Sequence, residues 1–317
     1  MPDSCCNHPF VSVIVCTLPQ RPFLEACLDS LVAQGCQRSE ILLVLNGQFD
    51  PAFPQRVASY PVRLLHEPRR GVSIARNTAL GQARGEILAI VDDDIVADAA
   101  WLHELVKGFQ DPAVACVIGR VIPEGPSYWP EERHKTVYFG ERAITPWYQD
   151  AGPEGIANVL NAVVMGFGCN LAFRKNFLEN FSLLPEDLGA GSVIGSYDEP
   201  YMFLQVLKHG FRIYYTPFAA VTHFFEEEAP RERKSRLRHH CAAALAFRLK
   251  LLLDEKGYRV ATLKSLLIGF HRVVRTSVGR KNPLEPPEML SFSEKLSAHL
   301  RGFRLFWRSR QRKVSPE

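Results

Sequence analysis

Residues 86–96, EILAIVDDDIV, join a short apolar run to three consecutive aspartates. The run is β-branched and leucine-rich, and it follows a glycine, which predicts a buried strand. The preceding residues, 73–85, repeat apolar side chains at helical spacing and predict a helix. The sequence therefore places a cluster of negative charge at the carboxyl end of a strand: Asp92, Asp93 and Asp94.

The same alternation of strand and helix extends in both directions from this stretch. Predicted strands cover residues 10–17, 40–47, 62–67, 86–91 and 114–122, and predicted helices cover residues 21–35, 73–85 and 99–109. This order indicates an α/β fold with a mostly parallel central sheet and helices on both faces. Ligands bind at the carboxyl ends of the strands in such sheets. Thr17 and Asn46 end two other predicted strands, so we expect them to share one site with the aspartates.

The composition is that of a globular protein with uneven charge. The chain is 46% hydrophobic and 23% charged, which excludes disordered and fibrous classes. Residues 229–317 carry 21 Lys/Arg and 7 Asp/Glu, a net charge of +14, which leaves −10 for residues 1–228. The first residues lack a signal-peptide pattern, and no apolar run approaches the ~18 residues of a membrane span. We therefore expect a cytoplasmic protein with an acidic body and a basic tail.

Three adjacent carboxylates repel one another unless another group offsets their charge. A solvated turn or a helix N-cap explains one or two aspartates, but it explains three at the end of a buried strand poorly. Mg²⁺ and Mn²⁺ bind carboxylate oxygens and commonly share their coordination shell with substrate phosphates. The triplet therefore predicts a divalent metal site for a phosphorylated substrate.

Four segments resemble the family 2 glycosyltransferases in their order and spacing. They are VSVIVCTLPQRPFLEACLDSLVAQ (11–34), HEPRRGVSIARNTALGQARGEILAIVDDDIV (66–96), GFGCNLAFRK (166–175) and YDEPYMFLQVLKHGFRIYYTPFAAVTH (197–223). The resemblance covers about residues 9–225. It implies the GT-A nucleotide-diphospho-sugar transferase fold, and an inverting transferase that uses a nucleotide-diphospho-sugar and a divalent metal, Mg²⁺ or Mn²⁺.

The resemblance also implies roles for the clustered acidic residues and for a late histidine. Asp94 is the first candidate for the metal ligand, while Asp92 and Asp93 would contact the ribose or support the metal. His223, at the end of a predicted late strand, would lie near the metal or the diphosphate; the alternative is a structural histidine.

Other donor-side candidates come from the second strand and the helix before the aspartates. By the resemblance, Arg76 and Asn77 would lie beside the donor pocket, although an ordinary packing role explains them equally well. Many family members end the second strand with acidic residues, one of which reads the nucleobase. This chain has Leu45 and Asn46 instead, and the Asn46 amide can still donate to and accept from a base edge. UDP remains the favoured nucleotide.

Asp198 and Glu199 are the candidates for the catalytic base. An acceptor hydroxyl must lose a proton as it attacks the sugar, which requires a carboxylate within hydrogen-bond distance. The two acids open a predicted helix, whose positive end favours their ionised forms; helix capping alone is the alternative. The family usually has Glu-Asp here with the Asp as base. The pair is swapped in this chain, so Glu199 falls at the base position.

Candidates for the acceptor side lie between the last predicted strands. The Pro-, Gly- and aromatic-rich segment 123–160 supplies Trp129 and Trp147, which would stack on sugar faces or close the domain as a hydrophobic wedge. The GFGCN turn would bring the backbone of Gly168 close to the sugar or acceptor, with Asn170 as a hydrogen-bonding candidate. These glycines equally suit a simple turn.

The basic tail includes residues 295–313, KLSAHLRGFRLFWRSRQRK, in which apolar residues recur at helical spacing among arginines. Such a helix can lie on an anionic membrane surface, which would bring the enzyme to a lipid-linked acceptor at the inner face of the plasma membrane. The alternative is a helix packed on the body with a solvated basic face. No nucleic-acid-binding motif accompanies the charge, so we expect no nucleic-acid partner.

The sequence as a whole predicts an inverting, metal-dependent glycosyltransferase. It would transfer a sugar from a UDP-sugar to a saccharide or lipid-linked acceptor in cell-surface polysaccharide or glycoconjugate synthesis. We expect a GT-A domain over residues 1–228, with a donor half at 9–122 and an acceptor half at 123–228, and a basic helical extension over 229–317. The alternative enzyme is a sugar nucleotidyltransferase. Its chemistry requires a glycine-rich, basic phosphate loop after the first strand, and the segment CTLPQRPF does not have that pattern. A non-catalytic nucleotide-sugar binder or membrane scaffold would not need both acidic clusters.

Overall fold

The computed structural model describes residues 9–125, 146–150, 159, 168–181, 183–226, 229–277 and 290–312. Its strands are β1 (Val11–Thr17), β2 (Ser39–Asn46), β3 (Val62–Glu67), β4 (Ile87–Asp92), β5 (Ile95–Ala97), β6 (Val114–Glu124), β7 (Trp147–Gln149), β8 (Asn170–Arg174) and β9 (Arg212–Phe224). Its α-helices are α1 (Leu24–Val32), α2 (Phe53–Arg56), α3 (Val72–Gln82), α4 (Trp101–Lys107), α5 (Lys175–Phe181), α6 (Asp198–Lys208), α7 (Pro230–Asp254), α8 (Arg259–Ser277) and α9 (Phe292–Arg312).

The described strands form one sheet in the order β3-β2-β1-β4-β8-β6-β9-β5, and β7 also pairs with β9. Strands β1 to β4 are parallel, as are β6 and β9, whereas β8 runs antiparallel to both of its neighbours. The short strands β5 and β7 run antiparallel to β9. The predicted mostly parallel α/β sheet is therefore confirmed, with antiparallel β8 inserted at its centre.

Both faces of the sheet are buried, as expected for parallel strands that are apolar along their whole length. Along β1, Ile14 faces a core that includes side chains from α3, α6 and α7. Its neighbours Val13 and Val15 face a second core, which includes side chains from α1 and α4. This alternation follows the two-residue period of a strand, and it confirms the prediction of helices on both faces.

Strand β9 carries the predicted late histidine to the edge of the site. The sequence predicts two strands, 211–217 and 219–225, but the structure has one strand with an irregular register opposite Gly119 and Arg120. Pro217 lies in this irregular stretch, where its missing N–H costs no ladder bond. The strand therefore continues to His223, which pairs with Ile95 of β5.

Helix α7 packs into the core on one face of the sheet. Ala243, Ala246 and Phe247 are almost completely buried there, and the Phe247 ring stacks on Tyr197 with 4.9 Å between ring centroids. A buried ion pair adds to this contact, because Nζ of Lys250 lies 2.9 Å from the Asp187 carboxylate. Helices α8 and α9 pack on α7. Within the described ranges, every helix is too short or too polar to cross a membrane.

Candidate active site

The carboxyl ends of three parallel strands border one cavity of about 450 Å³. Thr17 ends β1, Asn46 ends β2 and Asp92 ends β4, so the site follows directly from the parallel register of the strands. The start of α6 lies at the same cavity and contributes Asp198 and Glu199. The structure thus brings together the aspartate triplet and the acidic pair, which are about a hundred residues apart in the chain.

Two arginines offset part of the negative charge of the aspartate triplet. Arg21 contacts Asp93 with Nε at 3.1 Å and Asp94 with Nη2 at 2.7 Å. Arg76 contacts Asp92 with Nη2 at 3.0 Å. The charge argument from the sequence, that the triplet needs a bound cation to offset its repulsion, is therefore wrong in part, because the chain supplies two guanidinium groups. Sequence reasoning missed Arg21, although three clustered acids are a reason to look for nearby cationic residues.

The three aspartates differ in their electrostatic environments. Burial raises the pKa of Asp92, although Arg76 opposes the shift. Burial also raises the pKa of Asp93 to about 6, against the hydrogen bond that it accepts at 2.6 Å from the Thr17 hydroxyl. Asp94 is only partly buried, and the adjacent His223 imidazole and the Arg21 guanidinium outweigh the effect of that burial and lower its pKa. Asp94 is thus the member of the triplet whose charged form the protein favours most.

His223 lies beside Asp94 and brings an imidazole to the aspartate triplet. Nε2 of His223 is 3.2 Å from Oδ1 of Asp94. Ligand atoms of Asp92, Cys169 and His223 all lie within 4.8 Å of one another. The other ring nitrogen of His223, Nδ1, is buried and has no hydrogen-bond partner in the described part of the chain.

This donor set fits a divalent cation. Carboxylate oxygens suit Mg²⁺ and Mn²⁺, and imidazole suits Mn²⁺ and softer metals. An unpartnered buried nitrogen is costly, and a cation bound at Nδ1 of His223 would satisfy it. Cys169, which sequence reasoning did not single out, brings a sulfur atom to the same place. Burial raises the pKa of its thiol well above its usual range.

The first turn of α6 is set by a residue in an unusual backbone conformation. Tyr197 precedes the helix with φ of 74°, in the left-handed region that non-glycine residues rarely occupy. Its buried ring is stacked on Phe247 of α7, which holds that conformation in place. Strain of this kind concentrates at functional sites, and here it orients the two acids that follow.

Asp198 and Glu199 have different partners. Asp198 is almost completely buried and accepts a 2.6 Å hydrogen bond from Nη1 of Arg76. Glu199 lies against Gly168, where any Cβ would overlap its carboxylate oxygen Oε1. Burial and the neighbouring Asp198 raise the pKa of Glu199 to about 8, despite the opposing charge of Arg76. Asp198 therefore fixes Arg76, while Glu199 is a carboxyl group with a pKa near neutrality at the cavity.

Asn46 borders the cavity, but its side chain is hydrogen-bonded to the backbone of the loop that follows β3. Its amide nitrogen donates to the carbonyl oxygens of Glu67 and Arg69, and its carbonyl oxygen accepts from the N–H of Gly71. Both N–H donors are thereby used. For a nucleobase edge, Asn46 retains only the second lone pair of its carbonyl oxygen.

Two other asparagines do not have the predicted surroundings. The side chain of Asn77 holds the backbone of Leu184 through two hydrogen bonds and is not among the residues that line the cavity. Asn170 is fully buried, where it accepts from the Trp101 indole and donates to the carbonyl oxygens of Arg120 and Ala219. The Asn170 amide group therefore joins three elements inside the core and is not among the residues that line the cavity.

The predicted aromatic contacts to the acceptor are only partly described. Trp129 lies outside the described residues, and only the backbone of Trp147 is described. Trp147 pairs with Tyr215, eight residues before His223 on β9. The β6 residues that pair with Tyr215 and His223, Ile118 and Pro123, are five residues apart, which at the usual rise of a strand is roughly 17 Å, so Trp147 pairs with β9 well away from His223.

Comparisons with known proteins agree with this fold. The structure resembles a mannosyltransferase from Pyrobaculum calidifontis solved in complex with GDP-Man and Mn²⁺, with a TM-score of 0.59 and 20% identity over 94% of this chain and 88% of that one. The likeness confirms the predicted GT-A fold.

Sequence relatives point in the same direction. One is a glucosyl-dolichyl phosphate glucuronosyltransferase of Haloferax volcanii, 27% identical over 182 residues, or 53% of this chain and 54% of that protein. Another is the uncharacterized glycosyltransferase EpsJ of Bacillus subtilis, 35% identical over 105 residues, or 31% and 30% of the two chains. These matches span about half or less of the relatives' lengths. The model of "Glycosyl transferase family 2" matches residues 12–181, more than half of the chain. The chain belongs to glycosyl transferase family 2.

Proposed function

We propose that this chain is an inverting, metal-dependent glycosyltransferase that moves a sugar from a nucleotide-diphospho-sugar to a saccharide or lipid-linked acceptor. The observation that carries the proposal is a single cavity bordered by the aspartate triplet on one side and by Asp198 and Glu199 on the other. The aspartate triplet is suited to hold a cation against a charged leaving group. The acidic pair is suited to take a proton from the acceptor hydroxyl. Family membership supports a role in polysaccharide or glycoconjugate synthesis.

On the donor side, Asp94, Asp92 and His223 are the residues that would hold the cation. When bound, Mg²⁺ or Mn²⁺ neutralises charge on a diphosphate leaving group. Thr17 orients Asp93 through its hydroxyl, and we assign this pair to the ribose side of the donor. UDP remains the favoured nucleotide, and the GDP-Man bound by the structural neighbour makes GDP the first alternative to test.

On the acceptor side, Glu199 acts as the base. Its carboxyl group borders the cavity, and a pKa of about 8 suits a group that must take a proton near neutral pH. Asp198 is a positioning residue, because its carboxylate is committed to Arg76. Gly168 leaves the space that the Glu199 side chain occupies.

The acceptor class and the domain division are also part of the proposal. A relative that is named for a dolichyl phosphate substrate supports a lipid-linked acceptor, which would place the reaction at the inner face of a membrane. We assign catalysis to residues 1–228 and treat 229–317 as the C-terminal helical extension. Packing of α7 into the core implies that the extension begins as part of the same folded body.

Thermal unfolding with nucleoside diphosphates and Mn²⁺ tests the donor site. We expect UDP or GDP to raise the midpoint of unfolding in the presence of Mn²⁺, and EDTA to abolish the effect. Asp94→Asn should lose the Mn²⁺-dependent shift, whereas the exposed neighbour Asp98→Asn should keep it. If no nucleoside diphosphate stabilises the wild-type chain with Mn²⁺ or Mg²⁺, the proposal fails.

A further inference from the structure

Among its described side chains, helix α8 exposes large apolar residues and buries polar ones. Its large apolar residues Val260, Leu263, Leu267 and Phe270 are between 51% and 70% exposed. Thr262 and Ser265, by contrast, are buried, and Ser265 accepts a hydrogen bond from Nε of Arg248 on α7. A surface helix of a water-soluble domain normally buries the apolar stripe and exposes the polar one.

Helix α9 repeats this arrangement. Leu296, Leu300, Phe303 and Trp307 are between 50% and 65% exposed, and their spacing places them on one stripe of the helix. The face toward α7 includes small residues, such as Ala298 and Gly302. A Cβ on Gly302 would lie 2.6 Å from the carbonyl oxygen of Ala242, so the two helices approach closely there. Leu305 and Phe306 are also buried on the inward side of α9, whereas the four large apolar side chains of the exposed stripe point outward.

Both helices are strongly basic. Helix α8 has four Lys/Arg and no Asp/Glu, and α9 has six Lys/Arg and one Glu. On α9, the exposed residues Arg301, Arg304 and Arg308 follow one side of the apolar stripe. Apolar side chains flanked by arginines match the two layers of an anionic membrane surface, which are acyl chains and negatively charged headgroups.

We propose that the outward faces of α8 and α9 form a docking surface for an anionic lipid bilayer. The large apolar side chains would enter the boundary between headgroups and acyl chains, and the arginines would bind the headgroup phosphates. The charge favours a lipid surface over a second copy of this chain, because two such basic faces would repel each other. The proposal does not depend on glycosyl transfer, since none of these residues borders the cavity at the aspartates.

Co-sedimentation of the full chain with lipid vesicles tests the surface. We expect binding to vesicles that contain phosphatidylglycerol, weak binding to pure phosphatidylcholine, and loss of binding at high salt. The double variants Leu263→Ser/Leu267→Ser and Phe303→Ser/Trp307→Ser should each weaken binding by about 100-fold, since each inserted side chain contributes on the order of tenfold. The triple variant Arg301→Gln/Arg304→Gln/Arg308→Gln should weaken binding by a similar factor of roughly 100 at low salt.

A matched control is Phe218→Ser, which removes a residue that is 60% exposed but lies on β9. This variant should bind vesicles like the wild type. All substitutions are at exposed positions, so thermal unfolding should report folded protein, and Mn²⁺-dependent binding of a nucleoside diphosphate should be unchanged. If the wild type does not bind a nucleoside diphosphate at all, the proposed function fails. The proposal of a lipid-docking surface is unaffected by that result.

Fluorescence gives a second readout, because Trp307 is exposed and the difference between the wild type and Trp307→Phe isolates its emission from that of the other three tryptophans. Addition of phosphatidylglycerol vesicles should shift the emission of the wild type to shorter wavelength, and Trp307→Phe should remove the shift. The proposal is overturned if the wild type does not bind the vesicles, or if both apolar double variants bind them normally. It is also overturned if the double variants change only the oligomeric state in sedimentation velocity, which would identify a self-association surface.

Discussion

Arg76 donates a 2.6 Å hydrogen bond to the carboxylate of Asp198, and both side chains are about 96% buried. The same guanidinium reaches Asp92 at 3.0 Å. Arg76 therefore connects the aspartate triplet to the first turn of α6, and it contacts the carbonyl oxygen of Gly168 as well. The donor and acceptor sides of the cavity share one buried cation, so a change at Arg76 should disturb both.

Substitution of Arg76 by methionine should destabilise the fold strongly. The variant would leave Asp198 buried without a counter-charge, and loss of one partner from a buried pair costs about 3–5 kcal/mol. Urea denaturation measures the free energy of unfolding. Arg84→Met is the matched control, because Arg84 pairs with Glu40 at the surface and should change stability little. A loss at Arg76 no larger than at Arg84 would contradict a central role for the buried pair.

Glu199→Gln and Asp198→Asn should have different effects. Glu199→Gln removes the proposed base but keeps the shape of the side chain, so transfer should fall by about 10²–10⁴-fold with donor binding retained. Asp198→Asn weakens the contact to Arg76 and should lower the midpoint of thermal unfolding. Single-turnover transfer and unfolding, measured on both variants, separate the two roles. If Asp198→Asn abolishes transfer at unchanged stability while Glu199→Gln remains active, the base is Asp198.

The raised pKa of Glu199 predicts a pH dependence with a definite sign. The base must be deprotonated, so kcat/KM should rise about tenfold per pH unit on the acid side of the pKa of about 8. Positive charge from a bound cation would lower the pKa of Glu199. The rise of kcat/KM would then occur at lower pH. A pH profile of kcat/KM, recorded with saturating metal and at limiting metal, checks the direction of the shift.

The free energy of unfolding should also depend on the protonation of Glu199. It should fall as the pH rises, whereas kcat/KM should rise. The folded chain holds a proton on Glu199 that the unfolded chain, in which the glutamate has its ordinary pKa of 4.5, releases. The contribution of Glu199 to the free energy of unfolding should therefore fall as the pH rises from about 4.5 to about 8. Glu199→Gln should flatten this part of the pH profile. A wild-type profile that matches the variant would show that the pKa of Glu199 is not raised in the folded protein.

The sequence predicts the fold and the position of the site well, because both depend on local patterns. Apolar runs of strand length, separated by helical periods, predict β1 to β4, and a parallel sheet then brings the strand ends together. Arg21 was missed because its partners Asp93 and Asp94 are more than seventy residues away in the chain. Only the folded geometry shows which cation faces which carboxylate.

The unexpected surroundings of Asn170 have a similar physical cause. Asn170 follows a glycine turn, and an asparagine in that position is typical of an exposed binding loop. Its burial depends on β8, which enters the sheet antiparallel between β4 and β6. The strand pattern of residues 170–174 does not encode this direction or these neighbours. The Asn170 amide is therefore used to join Trp101, β6 and β9 rather than to contact a ligand.

Gly168→Ala should impair catalysis more than stability. A Cβ at this position overlaps the Glu199 side chain from Oε1 to Cγ, so the whole side chain must shift to make room for it. We therefore expect transfer to fall by about tenfold or more from a displaced base, with Mn²⁺-dependent nucleotide binding retained. Gly81→Ala is the matched control, because Gly81 lies within α3 with nothing within 4 Å of its added Cβ. That control should keep full activity and stabilise the fold by about 0.5–1 kcal/mol. Equal transfer rates in the two variants would show that Gly168 does not set the position of Glu199.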